Sequence, residues 1–402
     1  MSSANYLTLL RIPGAAAFFF SAVVGRVGLA MTGIGIVWLV HARTGSFADA
    51  GLVTGCFAVA DALGGPQTGR LVDLFGQRRV LLYAVTVHAG AVALLFAGGP
   101  LTVTGAILAG VSLPQLSALS AARWAALLRG TPAETALPRA FTLEALANGL
   151  SFLAGPALVS AVGAAGHPRL GSLLAAALVV GGGLALAVQR RTAPPVAGRA
   201  ERHRAGRSLL RPAFVRLVAL NAALGVFFGA LQVSVTAYAL GRGTPDAAPL
   251  LYAVSNCTNL AAGWAYGARH RESPPERQRA LAAVGLALAC LPLTAVEGPV
   301  PVAVCLALTG LAVPVLLVLF SVLAETSVDR AVLTQAFTWL GSASAAGSAG
   351  AAALAGRAVD AAGPHAGFAV GAAAALGMVA LAVPGRPRGL RPGGAVPARR
   401  SR

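Results

Sequence analysis

The sequence contains no lysine, and all 31 of its basic residues are arginine. The Walker A loop, which holds the phosphates of ATP in most ATP-driven pumps, requires a lysine, so this chain cannot use that loop without a partner subunit. The sequence also lacks histidines at metal-ligand spacing, a Gly-x-Ser-x-Gly nucleophile elbow and a large polar domain. We therefore predict that the protein is not an enzyme and binds no cofactor and no metal.

Cysteine is scarce as well. The four cysteines, Cys56, Cys257, Cys290 and Cys305, lie inside apolar stretches, without pair spacing and without neighbouring histidines. This pattern is typical of small core residues and argues against disulfides and metal ligands.

Charged residues make up only 11% of the chain, whereas hydrophobic residues make up 56%, and the mean hydropathy is +0.74. A soluble domain is excluded by this composition, because apolar runs of the ~20 residues needed to cross a bilayer recur along the chain. The runs predict an all-α integral membrane protein with twelve transmembrane helices in two pseudo-symmetric six-helix bundles. The predicted spans are residues 14–40, 47–68, 80–98, 101–122, 140–163, 170–188, 213–239, 249–267, 280–297, 300–323, 332–356 and 366–384.

An arginine-rich polar segment separates the two sets of six runs and sets the predicted domain boundaries. Residues 1–188 form the first bundle and residues 212–384 the second, with a cytoplasmic linker at 189–211. Residues 385–402 contain proline, glycine and arginine without hydrophobic periodicity, which predicts a disordered basic tail on the cytoplasmic side.

The net charge of +18 does not indicate nucleic acid, because the arginines follow the membrane topology. If the N-terminus is cytoplasmic, 26 arginines lie on cytoplasmic segments, only Arg43, Arg169, Arg242 and Arg357 lie outside, and Arg26 lies within a span. This asymmetry obeys the positive-inside rule for a plasma-membrane protein with both termini in the cytoplasm. The expected neighbours of the charge are anionic lipid headgroups, each arginine near the surface contributing about 1 kcal/mol.

The loop after the second apolar run, residues 69–79, carries the most specific motif. Its glycine, acid, glycine and basic residues resemble the loop motif of the major facilitator superfamily, from which the sequence departs at Leu74 and Gln77. The resemblance implies two six-helix halves that rock against each other, with this loop as a conformational latch. It also implies that Arg123, at the cytoplasmic end of the fourth span, neighbours the acid of the loop. The predicted latch residues are Gly69, Asp73, Gly76, Arg78, Arg79 and Arg123.

The second half of the chain repeats parts of the first at offsets near 200 residues. These matches occur in the same order and at equivalent places in the spans, which supports two bundles of common architecture. At an offset of 198, Asp61, Gly65 and Gly69 fall on Asn259, Gly263 and Gly267, and at 196, Ala140-Phe141-Thr142 falls on Ala336-Phe337-Thr338.

Small residues crowd the eleventh predicted span between Gly341 and Gly356. Within lipid such residues mark close helix contacts, so we expect this span to pack against the other half. The alternative is that the pattern only reflects the alanine and glycine richness of the whole chain.

Ionisable residues inside the predicted spans are few, and each costs about 2.5–3.5 kcal/mol at the bilayer centre. Arg26 lies near the middle of the first span, which would line a central cavity, and we expect it to meet Asp61 or Glu144. Glu144 and Asn148 are one turn apart and share a helix face. Such a pair either only holds helices together or binds substrate and protons. The predicted substrate and proton site consists of Arg26, Asp61, Glu144, Asn148, Gln232 and Asn259. Further candidate cavity contacts are Gln115, Asn221, Asn256 and Gln335.

The resemblance implies a secondary transporter that moves a small organic molecule by alternating access. We favour proton-coupled export by a monomer. Two alternatives remain open: an uptake permease of the same fold, and a membrane sensor or partner-binding protein that does not transport.

The arginine asymmetry predicts that both termini and the linker are cytoplasmic. A single cysteine placed at Ser208 or Ser401 should be protected from an impermeant thiol reagent in intact cells and should react after permeabilisation. Labelling of intact cells at either site would contradict the topology.

Overall fold

The computed structural model describes residues 6–196, 205–244, 247–268 and 273–382, and this part of the chain is helical and without strands. The predicted tail and the middle of the predicted linker lie outside the described residues. The helices are α1 Tyr6–Leu10, α2 Ala15–Thr44, α3 Phe47–Phe75, α4 Gln77–Ala97, α5 Leu101–Val111, α6 Leu116–Leu128, α7 Leu137–Ala164, α8 Pro168–Val188, α9 Pro212–Gly241, α10 Ala247–Ala268, α11 Pro275–Cys290, α12 Pro299–Ser327, α13 Leu333–Ala362 and α14 Pro364–Ala382.

Proline and glycine set many of the helix boundaries. Seven helices, α7 to α12 and α14, carry a proline among their first three residues, where the missing N–H has no intrahelical partner to lose. Gly45 ends α2 in the left-handed conformation, with φ at 68°, which glycine adopts at little cost. The long helices are therefore separated by short turns.

The fourth predicted span, residues 101–122, is not one continuous helix. It is divided into α5 and α6 by a non-helical stretch that contains Pro114. Proline has no N–H to donate and clashes with the preceding turn, which explains the break. Pro66, Pro156 and Pro314 lie inside helices that continue through them, so a proline in this chain does not by itself end a helix.

Within the described residues, eight helical stretches are long and apolar enough to cross a membrane, judged by length and composition. They are α2, α4, α5 together with α6, α7, α8, α9, α12 and α14. Three of the remaining helices, α3, α10 and α13, pack across the boundary between the two halves of the chain. Such helices are partly shielded from lipid, which explains why their sequences carry more polar and small residues.

The two halves of the chain repeat the same packing. In the first half, α2 packs on α7 and α8, α3 on α5, and α4 on α5 and α8. In the second half, the equivalent helices make the equivalent contacts: α9 packs on α13 and α14, α10 on α12, and α11 on α12 and α14. The halves meet where α3 and α6 contact α13, and where α7 contacts α10 and α12.

The small residues of α13 are divided between two neighbours. Most of the close contacts are with α9 in the same half, where Gly229 lies against the Ser348 backbone and Gly347 against the Ala222 backbone. Only Thr338 and Ser342, nearer the start of α13, approach the other half. The expectation that this stretch packs against the other half is confirmed near the start of α13, which contacts α3 and α6, whereas the close glycine contacts further along the helix are with α9.

One end of the molecule collects the ends of α3, α6 and α12 and the starts of α7 and α13, together with most of the arginines in the described residues. We call it the arginine-rich end and the opposite end the arginine-poor end. Ser208 lies at the arginine-rich end but is buried, and its hydroxyl accepts the N–H of Asp329 at 3.0 Å. The exposed neighbour Arg207 is therefore the better position for the labelling cysteine.

Candidate functional site

Arg26 of α2 and Glu144 of α7 form a buried ion pair. Glu144 also accepts hydrogen bonds from Ser120 Oγ at 2.6 Å and from the Trp124 indole N–H at 2.8 Å, both on α6. A carboxylate removed from water needs several donors to offset its desolvation, and here α2 and α6 supply them. The cluster thus holds α2, α6 and α7 together inside the first half.

Arg26 is only 2% exposed, so the expectation that it faces an open cavity is wrong for this conformation. Its Nε and Nη1 atoms have no hydrogen-bond partner in the described part of the chain. Buried N–H groups without acceptors cost about 1–3 kcal/mol each. Arg26 therefore retains donor groups that a ligand or water can satisfy when the helices move apart.

Asp61 does not pair with Arg26. Its carboxylate accepts a hydrogen bond from Gln115 Nε2 at 2.9 Å, at the break between α5 and α6, and its side chain is partly exposed. Asn148, one turn after Glu144, accepts a hydrogen bond from Ser117 Oγ at 3.3 Å. These two side chains lie toward open space on the first half, whereas Glu144 is turned into the buried cluster.

The second half contributes uncharged side chains. Gln232 on α9 is exposed and Asn259 on α10 is partly exposed, and within the described residues their side chains make no hydrogen bond. Asn221 is buried and donates to the Leu217 carbonyl of its own helix at 2.9 Å, so it does not face a cavity. Asn256 on α10 and Gln335 on α13 are also partly exposed, so of the polar side chains predicted in this half Asn221 is the one that burial removes from the candidate ligand contacts.

The halves meet closely along α3 and α13. A Cβ atom added to Gly69 would collide with Thr338 Oγ1 and would lie 2.8 Å from Gln335 Cα, and one added to Gly65 would lie 2.7 Å from Ser342 Oγ. One turn further, Asp73 Oδ2 accepts the Gln335 N–H at 2.9 Å. Gly69 of the predicted latch, together with Gly65 one turn before it, thus permits a contact that any larger residue would obstruct.

A second contact repeats the first through the internal symmetry of the chain. Added Cβ atoms at Gly267 and Gly263 on α10 would lie 2.7 Å from Thr142 Cγ2 and 3.1 Å from Leu146 Cδ2 on α7. Between the two contacts, the rings of Phe141 and Phe337 pack edge to face at 5.9 Å. The residues that match at offsets of 198 and 196 in the sequence are therefore the residues that close this end.

An ion pair that sequence reasoning missed also joins the halves. Arg129, at the end of α6, pairs with the Glu325 carboxylate near the end of α12 and donates to the Glu325 carbonyl at 2.8 Å. Burial, and then the neighbouring Arg330, lower the pKa of Arg129, although arginine stays charged in proteins. The available signal was an acid, Glu325, at the arginine-rich end of an otherwise apolar span.

Arg123 does not contact Asp73, which corrects the arrangement expected from the resemblance. It is buried and donates to Gln77 Oε1 at 2.7 Å and to the Leu186 carbonyl at the end of α8 at 3.0 Å. Positive charge at a helix C-terminus is favourable because the last carbonyls have no intrahelical partners. Gln77, one of the two positions at which the sequence departs from the motif, therefore links α4 through Arg123 to the end of α8.

The remaining latch residues lie at the surface of the same turn. Gly76, with φ at 87°, ends α3 and precedes α4, while Arg78 and Arg79 are exposed. In the described part of the chain, neither arginine forms an ion pair with Asp73. The acid of the motif is held instead by the start of α13 in the other half.

Each hydrogen bond, ion pair and ring contact between the halves in the described residues lies at the arginine-rich end. Toward the arginine-poor end, Gly51 and Gly55 of α3 have no atom within 4 Å of an added Cβ. The halves are thus joined at one end and separated along α3 toward the other.

A family model for the major facilitator superfamily matches residues 18–302. The chain belongs to the major facilitator superfamily. The identification made from the loop at residues 69–79 is thereby confirmed. Members of this superfamily are membrane transporters, so the protein is a multi-pass membrane protein whose general function is transport of a small molecule. No curated protein matches the sequence.

Solved structures of other superfamily proteins share the fold of this transporter. The human organic anion transporter MFSD10 (TETRAN) matches with a TM-score of 0.72 at 17% identity, over 92% of this chain and 98% of that one. A bacterial homologue of the iron transporter ferroportin in the outward-facing state matches with a TM-score of 0.74 at 13% identity, with the same coverage of both chains. The transporter FucP in the outward conformation matches with a TM-score of 0.70 at 15% identity, again over 92% of this chain and 98% of that one.

The glycine contacts predict that Gly69→Ala disfavours the conformation closed at the arginine-rich end. The added methyl group must displace Thr338 or Gln335, which costs about 1–3 kcal/mol in a packed interface. Spin labels at the exposed residues Asp49 and Asp360, at the arginine-poor ends of α3 and α13, should show a larger fraction of short distances than in the wild type.

Gly55→Ala is the matched control, because it adds the same methyl group to the same helix where no atom lies within 4 Å. It should leave the distance distribution unchanged. Identical distributions for Gly69→Ala and Gly55→Ala would show that the glycine contact does not determine the equilibrium.

The buried cluster predicts that Arg26→Ala destabilises the transporter by about 3–5 kcal/mol, because it leaves Glu144 charged and incompletely paired. The double variant Arg26→Ala/Glu144→Ala should recover most of the loss in melting temperature. The double variant Arg26→Ala/Asp61→Ala should not, because Asp61 is bonded to Gln115.

Substrate flux through the stable double variant decides what the pair does. If the pair takes part in transport, stability returns while flux stays low. Full flux in Arg26→Ala/Glu144→Ala would show that the pair only holds the helices together.

Proposed function

We propose that this protein is a twelve-span secondary transporter that moves a small organic molecule across the plasma membrane by alternating access. The observation that carries the proposal is the one-sided contact between the halves. The two halves have equivalent internal packing and are joined at one end and separated toward the other. By rocking about a binding site between them, they can open the joined end and close the opposite one. In this proposal α5 and α6 form one broken span, so each half has six spans.

The arginine asymmetry supports a cytoplasmic location for the arginine-rich end. With that orientation, the conformation described here is closed toward the cytoplasm and open to the outside. The solved structures of FucP and of the ferroportin homologue are also in outward conformations, which agrees with this assignment.

The substrate path is assigned to the space between the halves beyond the closed contact. Asp61 lies one turn before Gly65, the first glycine of that contact, so it borders the floor of the opening. Asn148 of the first half and Asn259 of the second half supply partly exposed polar groups, and Gln232 supplies an exposed one nearer the arginine-poor end, where its backbone carbonyl accepts the Tyr252 hydroxyl. A site with one acid and several amides suits a small polar molecule, especially one with hydrogen-bond donors.

Asp61 is the residue that we assign to proton coupling. Among the described acids, Glu144 and Glu325 are neutralised by arginines, whereas Asp61 and Asp73 have uncharged partners; Asp73 is held inside the closed contact by Gln335, and Asp61 borders the opening with Gln115 as its partner. An acid without a counter-charge in a low-dielectric site binds a proton more readily than an acid in water. If proton and substrate compete for Asp61, inward proton movement is exchanged for outward substrate movement, and this logic favours export over uptake.

A flux screen of the reconstituted protein tests the function. Proteoliposomes are loaded with candidate small polar compounds, and efflux and uptake are measured with and without a pH gradient. Gradient-dependent movement against the direction of the protons would support export, whereas movement with them would identify an uptake permease. Saturable binding without flux would identify a sensor and would contradict the proposal.

Asp61→Asn should abolish the acceleration of flux by a pH gradient, because asparagine cannot bind the transported proton. Exchange of substrate between equal concentrations on both sides should persist. Asp49→Asn is the control, because it removes an exposed acid from the first turn of the same helix. Unchanged gradient dependence in Asp61→Asn would exclude this residue as the proton carrier.

A further inference from the structure

A cavity of about 570 Å³ lies at the arginine-poor end of the first half, far from the contact between the halves. It is formed where α2 ends and α8 begins. One side is apolar and the other carries two guanidinium groups and an imidazole. Its lining consists of Leu39, Ala42, Arg43, Gly166, His167, Pro168, Arg169, Leu170 and Leu173.

The charge of this cavity is unusual for its location. Four arginines outside the predicted spans are assigned to the arginine-poor end, namely Arg43, Arg169, Arg242 and Arg357. Two of them, Arg43 and Arg169, line this one cavity. They are close enough to repel each other electrostatically. Neither forms an ion pair with an acid in the described residues. Two like charges held together without a counter-ion favour the binding of an anion.

Arg43 is held in place by the end of a neighbouring helix. Its two terminal nitrogens donate to the Leu95 and Phe96 carbonyls of α4 at 2.7 and 2.8 Å, and its guanidinium lies 5.9 Å from the centre of the Phe96 ring. A guanidinium has five N–H groups, so donors remain on Arg43 for a further acceptor. The arginine therefore presents its charge to the cavity from a fixed position.

The other side of the cavity faces the surroundings of the protein. Leu170 is 56% exposed and Leu173 is 51% exposed, one turn apart on α8. On a membrane protein, exposed leucines near the end of a span lie against acyl chains. An occupant of this cavity must combine an anionic group for the arginines with an apolar part for the leucines.

We propose that this cavity binds the phosphate headgroup of an anionic phospholipid, with its acyl chains along Leu170 and Leu173. The phosphate contacts Arg43 and Arg169, which are suited to it because guanidinium groups donate to phosphate oxygens through paired N–H groups. The site is separate from the arginine-rich end, where lipid attraction is spread over many residues. It tethers α2 to α8 in the leaflet at the arginine-poor end.

The second half supplies a natural control. Arg242 lies directly after the first long helix of its half, as Arg43 lies in the last turn of α2, and its guanidinium is 5.1 Å from the centre of the Tyr238 ring. The second half has no counterpart of Arg169 at the start of α14, where His365 instead contacts the Val296 carbonyl at 3.1 Å. Arg242 is thus a matched single arginine without the paired charge.

Quenching of Trp38 gives a readout beside this cavity, because Trp38 lies one turn before Ala42 on α2 and its ring packs against Gly163, close to Gly166 of the lining. The experiment uses the full-length protein with the substitutions Trp264→Phe and Trp339→Phe, so that Trp38 and the buried Trp124 are its remaining tryptophans. It is reconstituted with phosphatidylglycerol or phosphatidylcholine with brominated acyl chains. We expect stronger quenching by brominated phosphatidylglycerol than by brominated phosphatidylcholine. Arg169→Gln should reduce this preference for phosphatidylglycerol about fivefold, which is the contribution of one arginine near a lipid surface.

Arg242→Gln should keep the full preference for phosphatidylglycerol. Equal quenching by both lipids in the parent protein, or equal loss in Arg169→Gln and Arg242→Gln, would overturn the proposal. Relief of the preference by excess soluble glycerol phosphate would show that the cavity binds a soluble phosphate compound, which would also overturn the assignment to a lipid.

Discussion

A charge taken out of water must be neutralised or solvated by the protein, and this constraint explains the polar interactions inside the transporter. Glu144 meets Arg26 and two neutral donors, Arg123 meets the carbonyls that end α8, and Arg129 meets Glu325. Each of these charges fixes one helix against another. Asp61 differs, because an amide is its only partner and its side chain is partly exposed. The same constraint that makes the other charges structural leaves this one able to change its protonation state.

The two halves share their packing but not their charges. Helix neighbours recur in the same pattern, and the glycine contacts that close the arginine-rich end are repeated on α3 and α10. At the offsets that relate the halves, the positions of Arg26 and Glu144 correspond to Val226 and Leu340, and that of Asp61 to Asn259. Closure is therefore built symmetrically, whereas the ionisable chemistry is concentrated in the first half. Such a division allows one half to bind a proton while both halves contribute equally to the movement.

Most of the helices and the loop at residues 69–79 could be predicted from the sequence, because apolar run length and charge asymmetry are local signals. The sequence could not show which acid pairs with Arg26. Glu144 and Asp61 were both within reach along the helix axes, and the rotation of α7 and α3 about their own axes decides between them. Arg123 was assigned to Asp73 from the resemblance, but the end of α8 offered it more acceptors. The break at Pro114 was equally hidden, because Pro66, Pro156 and Pro314 interrupt no helix.

The spacing of polar and small residues along α3 links the proposed site to the closed contact. Asp61, Gly65, Gly69 and Asp73 are four residues apart, so they follow one another along nearly the same face of the helix. Gly65, Gly69 and Asp73 meet Ser342, Thr338 and Gln335 in turn. Asp61 is the next position along this face, and its partner Gln115 reaches to within 3.5 Å of a Cβ placed on Gly65. A change in the charge or ligand of Asp61 therefore acts on the last residue pair before the halves separate, which is where a small displacement has the greatest effect on whether they stay closed.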